Sequence, residues 1–463
     1  MSIAGGGFSG MMVAINLCSN ATTPTTINIV DKSTRLGRGV AYQPYSKSHL
    51  LNVMAGKMSA YPDQSDHFVD WVILHENFRS LHRDFVRQTY LPRHLYGEYL
   101  DHVWAEAMRQ KRPEIDVNVI RDTVVDAELG KEPGLYLENG GFLRSDAIVI
   151  ATGVPLPANP PLADKVFFGS PKYCRDPWAI GSVERSSGDR DILILGNGLT
   201  MVDTVLGLLE HGFTGKIYSL SHNGFAILPH RHNGVAYPNF ISEIRKPYQL
   251  TALVGIFNKH VKFLRKLGLS AEPVVDSIRP HSQEIWTSLS LAEKKKFMSR
   301  LRHLWGVARH RLPMHIHDLV LRLKLEGKLV VMAGQLERLQ EKDGRITASY
   351  IASRGRGIET IVIDRVINCT GPETDVRKVD DPLLAAMLNK GIIVPDAMAL
   401  GIEIDPHQYK VVDRNGRVVD NVYAMGNIIK GVLWESTAVP ELREQARTIA
   451  KNIVYATQKE LVG

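Results

Sequence analysis

The sequence predicts an α/β chain made of two Rossmann-like dinucleotide-binding domains with an inserted helical subdomain, on three observations. A glycine turn, Gly5-x-Gly7-x-x-Gly10, opens the chain. A second, Gly196-x-Gly198, follows a strand-like run at residues 191–195, and residues 240–313 read as mainly helical. In such a turn the first glycine allows the tight strand-to-helix reversal, the second lets a diphosphate approach the backbone, and the third lets the helix pack on its strand.

Only residues 1–4 precede the first turn, so the strand entering it must be unusually short. Residues 11–17 are a mostly apolar run suited to a buried helix, whose N-terminus would face the diphosphate with free N–H groups. Ile27-Asn28-Ile29-Val30 reads as a strand ending in Asp31, 21 positions after Gly10, where the fold needs a carboxylate for the ribose hydroxyls. Gly5, Gly7, Phe8, Ser9, Gly10, Asp31 and the adjoining Lys32 are therefore candidate cofactor contacts. Residues 32–93 lack clear periodicity, and a stretch of that length in a compact domain is usually functional. It holds Leu36-Gly37-Arg38-Gly39-Val40-Ala41-Tyr42 and His49-Leu50-Leu51-Asn52-Val53. Arg38 and Asn52 are its candidates, Asn52 as a polar group near the redox ring or, equally, as a turn cap. Residues 96–108 predict an amphipathic helix, residues 117–125 and 135–137 strands, and Asn139-Gly140-Gly141 a turn. Val124 is a further contact candidate. The strand at 146–150 ends in Ala151-Thr152-Gly153, small residues that let a ligand approach the backbone.

Residues 155–161 form a proline-rich connector, suited to a crossing between domains. Beyond it, residues 199–211 read as a helix closed by Gly212, and 216–220 as the next strand. Met201 stands where the third glycine would be. Gly196, Gly198, Leu199 and Thr200 are the contacts expected here. Ser221 and His222 follow the strand in place of an acid; without a carboxylate to repel the extra phosphate, NADPH is favoured and NADH is the alternative. Strand patterns return at 329–332, 346–352 and 358–363. The strand ending Cys369-Thr370-Gly371 echoes Ala151-Thr152-Gly153: either each domain is closed by a similar strand, or the chain here returns to the first domain. Residues 421–427 are one more strand ending at Gly426 and Asn427. Ser436 or Thr437 would cap a helix over 441–454, with Ala438 beside them and Pro440 in its first turn. A helix N-terminus there would stabilise the negative charge of a reduced flavin. The expected division is a discontinuous first domain over 1–180 and 365–463, and a second over 181–364 with a helical insertion at about 240–313.

Composition narrows the function classes. Three cysteines, Cys18, Cys174 and Cys369, without Cys-x-x-Cys spacing argue against a disulfide framework or a zinc site and for a cytoplasmic location. The apolar runs are strand-sized, so no membrane-spanning segment is expected, and the glycine turn occupies the place of a signal peptide. Ten Lys/Arg against two acids, Asp318 and Glu326, lie between Lys294 and Lys328. A solvated basic face is one reading; an anionic substrate or cofactor phosphate is the other. No nucleic-acid motif accompanies them. His310, His315 and His317 cluster, and His230 and His232 flank Arg231, but no Cys or carboxylate sits at matching spacing, so no metal is expected.

Two dinucleotide turns in one chain ask for two dinucleotides, FAD in the first and NADPH in the second. With these residues the chain resembles the bacterial FAD/NAD(P)-binding proteins related to flavin-containing and N-hydroxylating monooxygenases. Matching segments run throughout, most specifically His49 to Val53 and Trp434-Glu435-Ser436-Thr437-Ala438-Val439-Pro440-Glu441, with Leu95-Tyr96-Gly97 and Arg279-Pro280-His281. The resemblance implies oxidation of a small nitrogen-containing substrate, an anionic compound or an amino acid, by molecular oxygen through a flavin hydroperoxide, with an aspartate-oxidising branch among the relatives. One departure limits it. The Phe-x-Gly-x-x-x-His fingerprint of flavin-containing monooxygenases is degenerate here: Phe167 and Gly169 fit, but Tyr173 stands where histidine should. An NAD(P)H oxidoreductase without oxygen insertion and a non-catalytic FAD-binding regulator are the alternatives.

Overall fold

The computed structural model describes the chain except for residues 34, 44, 45, 187, 232–235, 354, 356 and 463 and the side chains of residues 460–462. His232 therefore lies outside the described residues. The chain forms two parallel-cored sheets. The first has the order Lys410–Val412, Val418–Ala424, Ile148–Ile150, Ser2–Ala4, Thr25–Asp31, Ile115–Arg121, all parallel except the Lys410–Val412 edge. The three-residue central strand works because both neighbours pair with it in full register and its bonding extends beyond it. Met1 O accepts from Asn28 N (3.0 Å) and Gly5 N donates to Val30 O (2.9 Å).

Helix Phe8–Asn20 leaves the first turn and packs against helix Val439–Val462 from the far end of the chain. Met11, Ala14, Ile15, Ala446, Ile449 and Ala450 share one core. A small antiparallel meander, Val124–Glu128, Gly134–Leu137 and Phe142–Arg144, stands apart from this sheet. The run expected as one strand over 117–125 is thus two strands in different sheets. Helix Arg93–Gln110 is longer than the expected 96–108.

The second sheet has the order Ile358–Ile363, Arg345–Ala352, Leu329–Lys342, Lys216–Ser221, Asp191–Leu195, Arg365–Asn368, Tyr173–Cys174. Domain limits at 180 and 365 cut through it, because Tyr173–Cys174 and Arg365–Asn368 both pair here and not in the first sheet. The chain crosses between domains nearer to the bridge of Pro157 with Pro372. The Thr-Gly echo therefore resolves in favour of two similar closing strands.

Between the neighbouring strands Lys216–Ser221 and Leu329–Lys342 the chain inserts five helices, Leu250–Lys266, Glu272–Ile278, Ser282–Ser288, Leu291–Arg300 and Arg302–Arg309. They bury their own small cores, Phe240, Val261, Leu264, Val274 and Ile278 in one and Ile244, Tyr248, Leu253 and Leu289 in the other. Helix Met314–Leu325 then makes the crossover, with Ile316 and Leu323 in the second domain's core. Among the described residues no helix is long and apolar enough to cross a membrane.

Candidate functional site

Both glycine turns are built to one plan. Gly5 and Gly196 each have φ +108°, a conformation L side chains rarely adopt. A Cβ on Gly5 would stand 2.2 Å from Ala151 O, and one on Gly196 2.4 Å from Cys369 O. The strands ending in Ala151-Thr152-Gly153 and Cys369-Thr370-Gly371 thus press against their turns at the same point. Gly7 and Gly198 are the N-caps of the following helices, both extended and both without a side-chain cap, which leaves helix N–H groups for an anion. A diphosphate fits these residues.

The first turn is enclosed. Asp31 Oδ2 accepts from Gly6 N and Oδ1 from Ser33 N, each at 2.6 Å, so the carboxylate is aligned beside the turn with a lone pair left on each oxygen. Gly37 N donates to Gly6 O (2.7 Å), laying the loop of Gly37 to Gly39 along Gly6 and Gly7. Gly10 must be glycine, since a Cβ would come within 1.9 Å of Gly5 O. Lys32 is exposed at the rim and Val124 is buried at the start of the meander. Arg38 is buried, with Nε and Nη2 both donating to Asp101, so its charge is already paired within the protein.

The far end of the chain completes this site. Gly426 has φ +80°, and a Cβ there would lie 3.6 Å from Ser9 Oγ. Its N–H donates to Gln445 Oε1 (3.0 Å) and its carbonyl accepts from Ser436 Oγ (2.9 Å). Ser436 is therefore not a helix cap. The last helix starts at Val439, and Ala438 O accepts from Glu441 N and Leu442 N in the first turn. Thr437 is exposed and Ala438 half-buried ahead of it. Thr152, Gly153, Asn427 and Ile428 line a shallow recess with Glu373 and Leu400.

The second turn is open. Nothing lies within 4 Å of a Cβ built on Gly198, and Leu199 and Thr200 are half-buried behind it. Met201, in the third glycine's place, is buried in the second domain's core. Ser221 Oγ accepts from Gly224 N (3.1 Å), closing a turn, and His222 is exposed.

Asn52 is exposed, and among the described residues its side-chain amide has no hydrogen-bond partner; its backbone bonds the His230 ring. The segment around it serves to join the domains. His49 Nε2 bonds Asp203 O (2.8 Å), Arg93 Nη2 donates to Asp203 Oδ2 (2.7 Å), and the Arg93 guanidinium lies 5.3 Å from the Trp178 ring. Further along the same helix Glu210 takes Ser46 Oγ and the N–H groups of Lys47 and Ser48. Burial pushes Asp203 above the usual carboxylate range against the pull of Arg93. These joining residues were not legible as such, although a lone acid in the apolar run from Met201 to Leu209 is a signal of a buried partner.

Against known proteins, residues 2–155 match the family model described as FAD-NAD(P)-binding, so the N-terminal part of the chain is an FAD/NAD(P)-binding segment. No curated protein sequence matches the chain. Among solved structures it is similar to a reduced form of ornithine hydroxylase from Pseudomonas aeruginosa (17% identity, 98% of each chain, TM-score 0.64). It is also similar to the Kutzneria sp. 744 ornithine N-hydroxylase with reduced FAD, NADP+ and L-ornithine (14%, 99% and 98%, TM-score 0.64) and to L-lysine 6-monooxygenase from Pseudomonas syringae (14%, 99% and 98%, TM-score 0.65). The fold is that of two-dinucleotide flavoproteins.

Proposed function

We propose that the protein is an FAD-dependent, NADPH-using monooxygenase of the cytoplasm that oxidises a small nitrogen-containing substrate. The observation that carries the reading is the pair of twin turns, one enclosed and completed by Gly426 and Ser436, the other open. An enclosed turn suits a resident FAD and an open one a nucleotide that comes and goes. Gly5, Gly7, Phe8, Ser9, Gly10 and Asp31 would hold the FAD diphosphate and ribose, with Gly426, Asn427, Thr437 and Ala438 near the ring. Gly196, Gly198, Leu199 and Thr200 would hold NADPH. Ser221 and His222 present no carboxylate against a 2′-phosphate. When bound, FAD supplies hydride acceptance from NADPH and the activation of oxygen. The chain's part is to hold the two rings in register through the His49, Arg93 and Asp203 junction and to exclude water.

The rival disulfide-type reductase finds no support in the thiols. Burial raises Cys18 and Cys174 to about 11 and Cys369 to about 12, so none is a ready thiolate. The test is anaerobic. Protein carrying FAD should be bleached by NADPH, and readmitted oxygen should yield an oxygenated nitrogen product with the right substrate. No bleaching sinks the enzyme reading; bleaching followed only by hydrogen peroxide across a substrate panel leaves a plain oxidoreductase.

A further inference from the structure

The second sheet ends in an antiparallel meander whose outermost strand, Ile358–Ile363, is bonded on one side only. Its neighbour is Arg345–Ala352, and among the described residues no strand pairs its other edge. The register opposes Ile351 to Ile358, Ser349 to Thr360 and Thr347 to Val362, which sets these six side chains on one face. The other face is the inner one, where Leu339, Ile346, Ala348, Tyr350 and Ile363 share a core with Leu162 and Phe167. On the outer face Ile351 is 46% exposed, Ile358 61% and Val362 46%, and Thr360 is exposed between them.

Edge strands of stable monomers are commonly blunted by lysine, by proline or by a bulge. Ile358-Glu359-Thr360-Ile361-Val362-Ile363 carries none of the three. It holds no Lys, Arg or Pro. Its pairing with Arg345–Ala352 runs unbroken from Ile358 to Ile363, whereas the next pairing inward shifts register between Leu336 and Arg338. The single charge, Glu359, accepts from the Tyr350 hydroxyl and is spent inside the protein. Every other residue of the strand is β-branched, the type that packs best on a pleated surface. Such an edge is a template for a further strand.

The outer row, Ile358, Thr360 and Val362, has the same order of apolar, Thr and apolar in both chain directions. We infer that two copies of this chain pair antiparallel along this strand about a twofold axis at Thr360, continuing the second sheet across a dimer. A twofold axis perpendicular to a sheet keeps each face on its own side, so opposed residues must share a face and the axis must pass through a residue. Centring it on Glu359 would set two like charges opposite one another. Centring it on Ile361 would set Ile358 against the partner's Asp364, a carboxylate that already accepts from Arg345. Centring it on Thr360 avoids both. Thr360 then meets its own copy, and Ile351, Ile358 and the partner's Val362 lie side by side, once on each side of the axis. Each exposed apolar side chain of the face gains an apolar neighbour. An unrelated strand has no reason to match this row at both ends, and a second copy does so by symmetry.

Sedimentation of the purified full chain over a range of concentrations reads the association without any turnover, so the dimer stands or falls apart from the proposed activity. The wild type should be dimeric and dissociate on dilution. Thr360→Lys sets two like charges opposite one another and should raise the dimer Kd about tenfold; Ile358→Lys, felt on both sides of the axis, should raise it about 10- to 100-fold. Both positions are exposed, so the unfolding midpoint of dilute protein should stay at the wild-type value. Cross-linking then reads the register. Oxidised with copper phenanthroline, Thr360→Cys should give a covalent dimer, while Ile358→Cys and Val362→Cys should give none alone and join to each other when mixed. Cys18 and Cys369 are buried, and wild type oxidised in the same way controls for the half-buried Cys174. A monomer at every concentration, a dimer indifferent to both lysine variants, or Thr360→Cys protein that does not cross-link overturns the inference. Self-cross-linking of Ile358→Cys would place the copies in another register and overturn it as well.

Discussion

The two glycine turns share a backbone and differ in what surrounds it. In both, a glycine at φ +108° is jammed against the carbonyl of a strand that ends in a small residue followed by Thr-Gly. Around the first turn, Asp31, the Gly37 loop, Gly10 and the returning Gly426 form a closed collar. Around the second, Gly198 faces open space, Met201 fills the third position, and Ser221 is spent on its own turn. The shared part is what a dinucleotide demands of any such turn; the differing part sets whether it can leave.

The sharpest break in the comparison comes from Gly5→Ala and Gly196→Ala. Each places a Cβ on a carbonyl and adds about 1–3 kcal/mol of backbone strain. Gly5→Ala should give colourless or insoluble protein. Gly196→Ala should stay yellow but resist bleaching by NADPH, as read by the flavin-to-protein absorbance ratio and anaerobic reduction; equal loss of flavin in both would erase the distinction.

The junction between the turns comes next. Asp203→Ala leaves Arg93 buried without its partner and should cost about 3–5 kcal/mol in denaturant unfolding. The double change Arg93→Met with Asp203→Leu should recover much of it, and a single-mutant loss below about 1 kcal/mol would mean the domains are joined by other contacts.

His230 links the domains through Tyr90, on which it stacks at 4.9 Å, and through the Asn52 backbone. Burial and then Arg311 lower its pKa to about 4. Between that value and the unfolded pKa near 6.5 the folded state binds fewer protons, so stability rises with pH and is lost as pH falls through this window, by up to about 3 kcal/mol. Unfolding midpoints measured from pH 7 to 4 should show the slope, and His230→Gln should flatten it.

The smallest effect belongs to Gly198→Ala. Nothing lies within 4 Å of the added Cβ and the backbone is extended. The midpoint should move by less than about 0.5 kcal/mol, while the KM for NADPH should rise about tenfold because the methyl stands where a diphosphate approaches. An unchanged KM would place the nucleotide elsewhere.

Much of this was readable in the chain. The spacing of Gly5, Gly7 and Gly10, the strand ending at Asp31, the second turn at Gly196 and the helical run before Pro313 are local patterns, and the structure shows the corresponding elements. Within that run Ser290 Oγ accepts from Glu293 N as the N-cap of helix Leu291–Arg300. The misreadings concern partners. Ser436 has the chemistry of a cap but is drawn to the Gly426 carbonyl. A domain limit at 365 would part strand Arg365–Asn368 from the sheet it pairs in, because strand character is local and choice of neighbour is not.

By itself the sequence determined the elements and the two turns, because glycine geometry, alternation and helical period act over a few residues. The tertiary structure alone decided that Gly426 meets Ser9, that Asp203 meets Arg93, and that Lys430 lies over the Trp434 ring. Those outcomes depend on which buried charge finds a counter-charge across hundreds of residues, and no local pattern encodes that pairing.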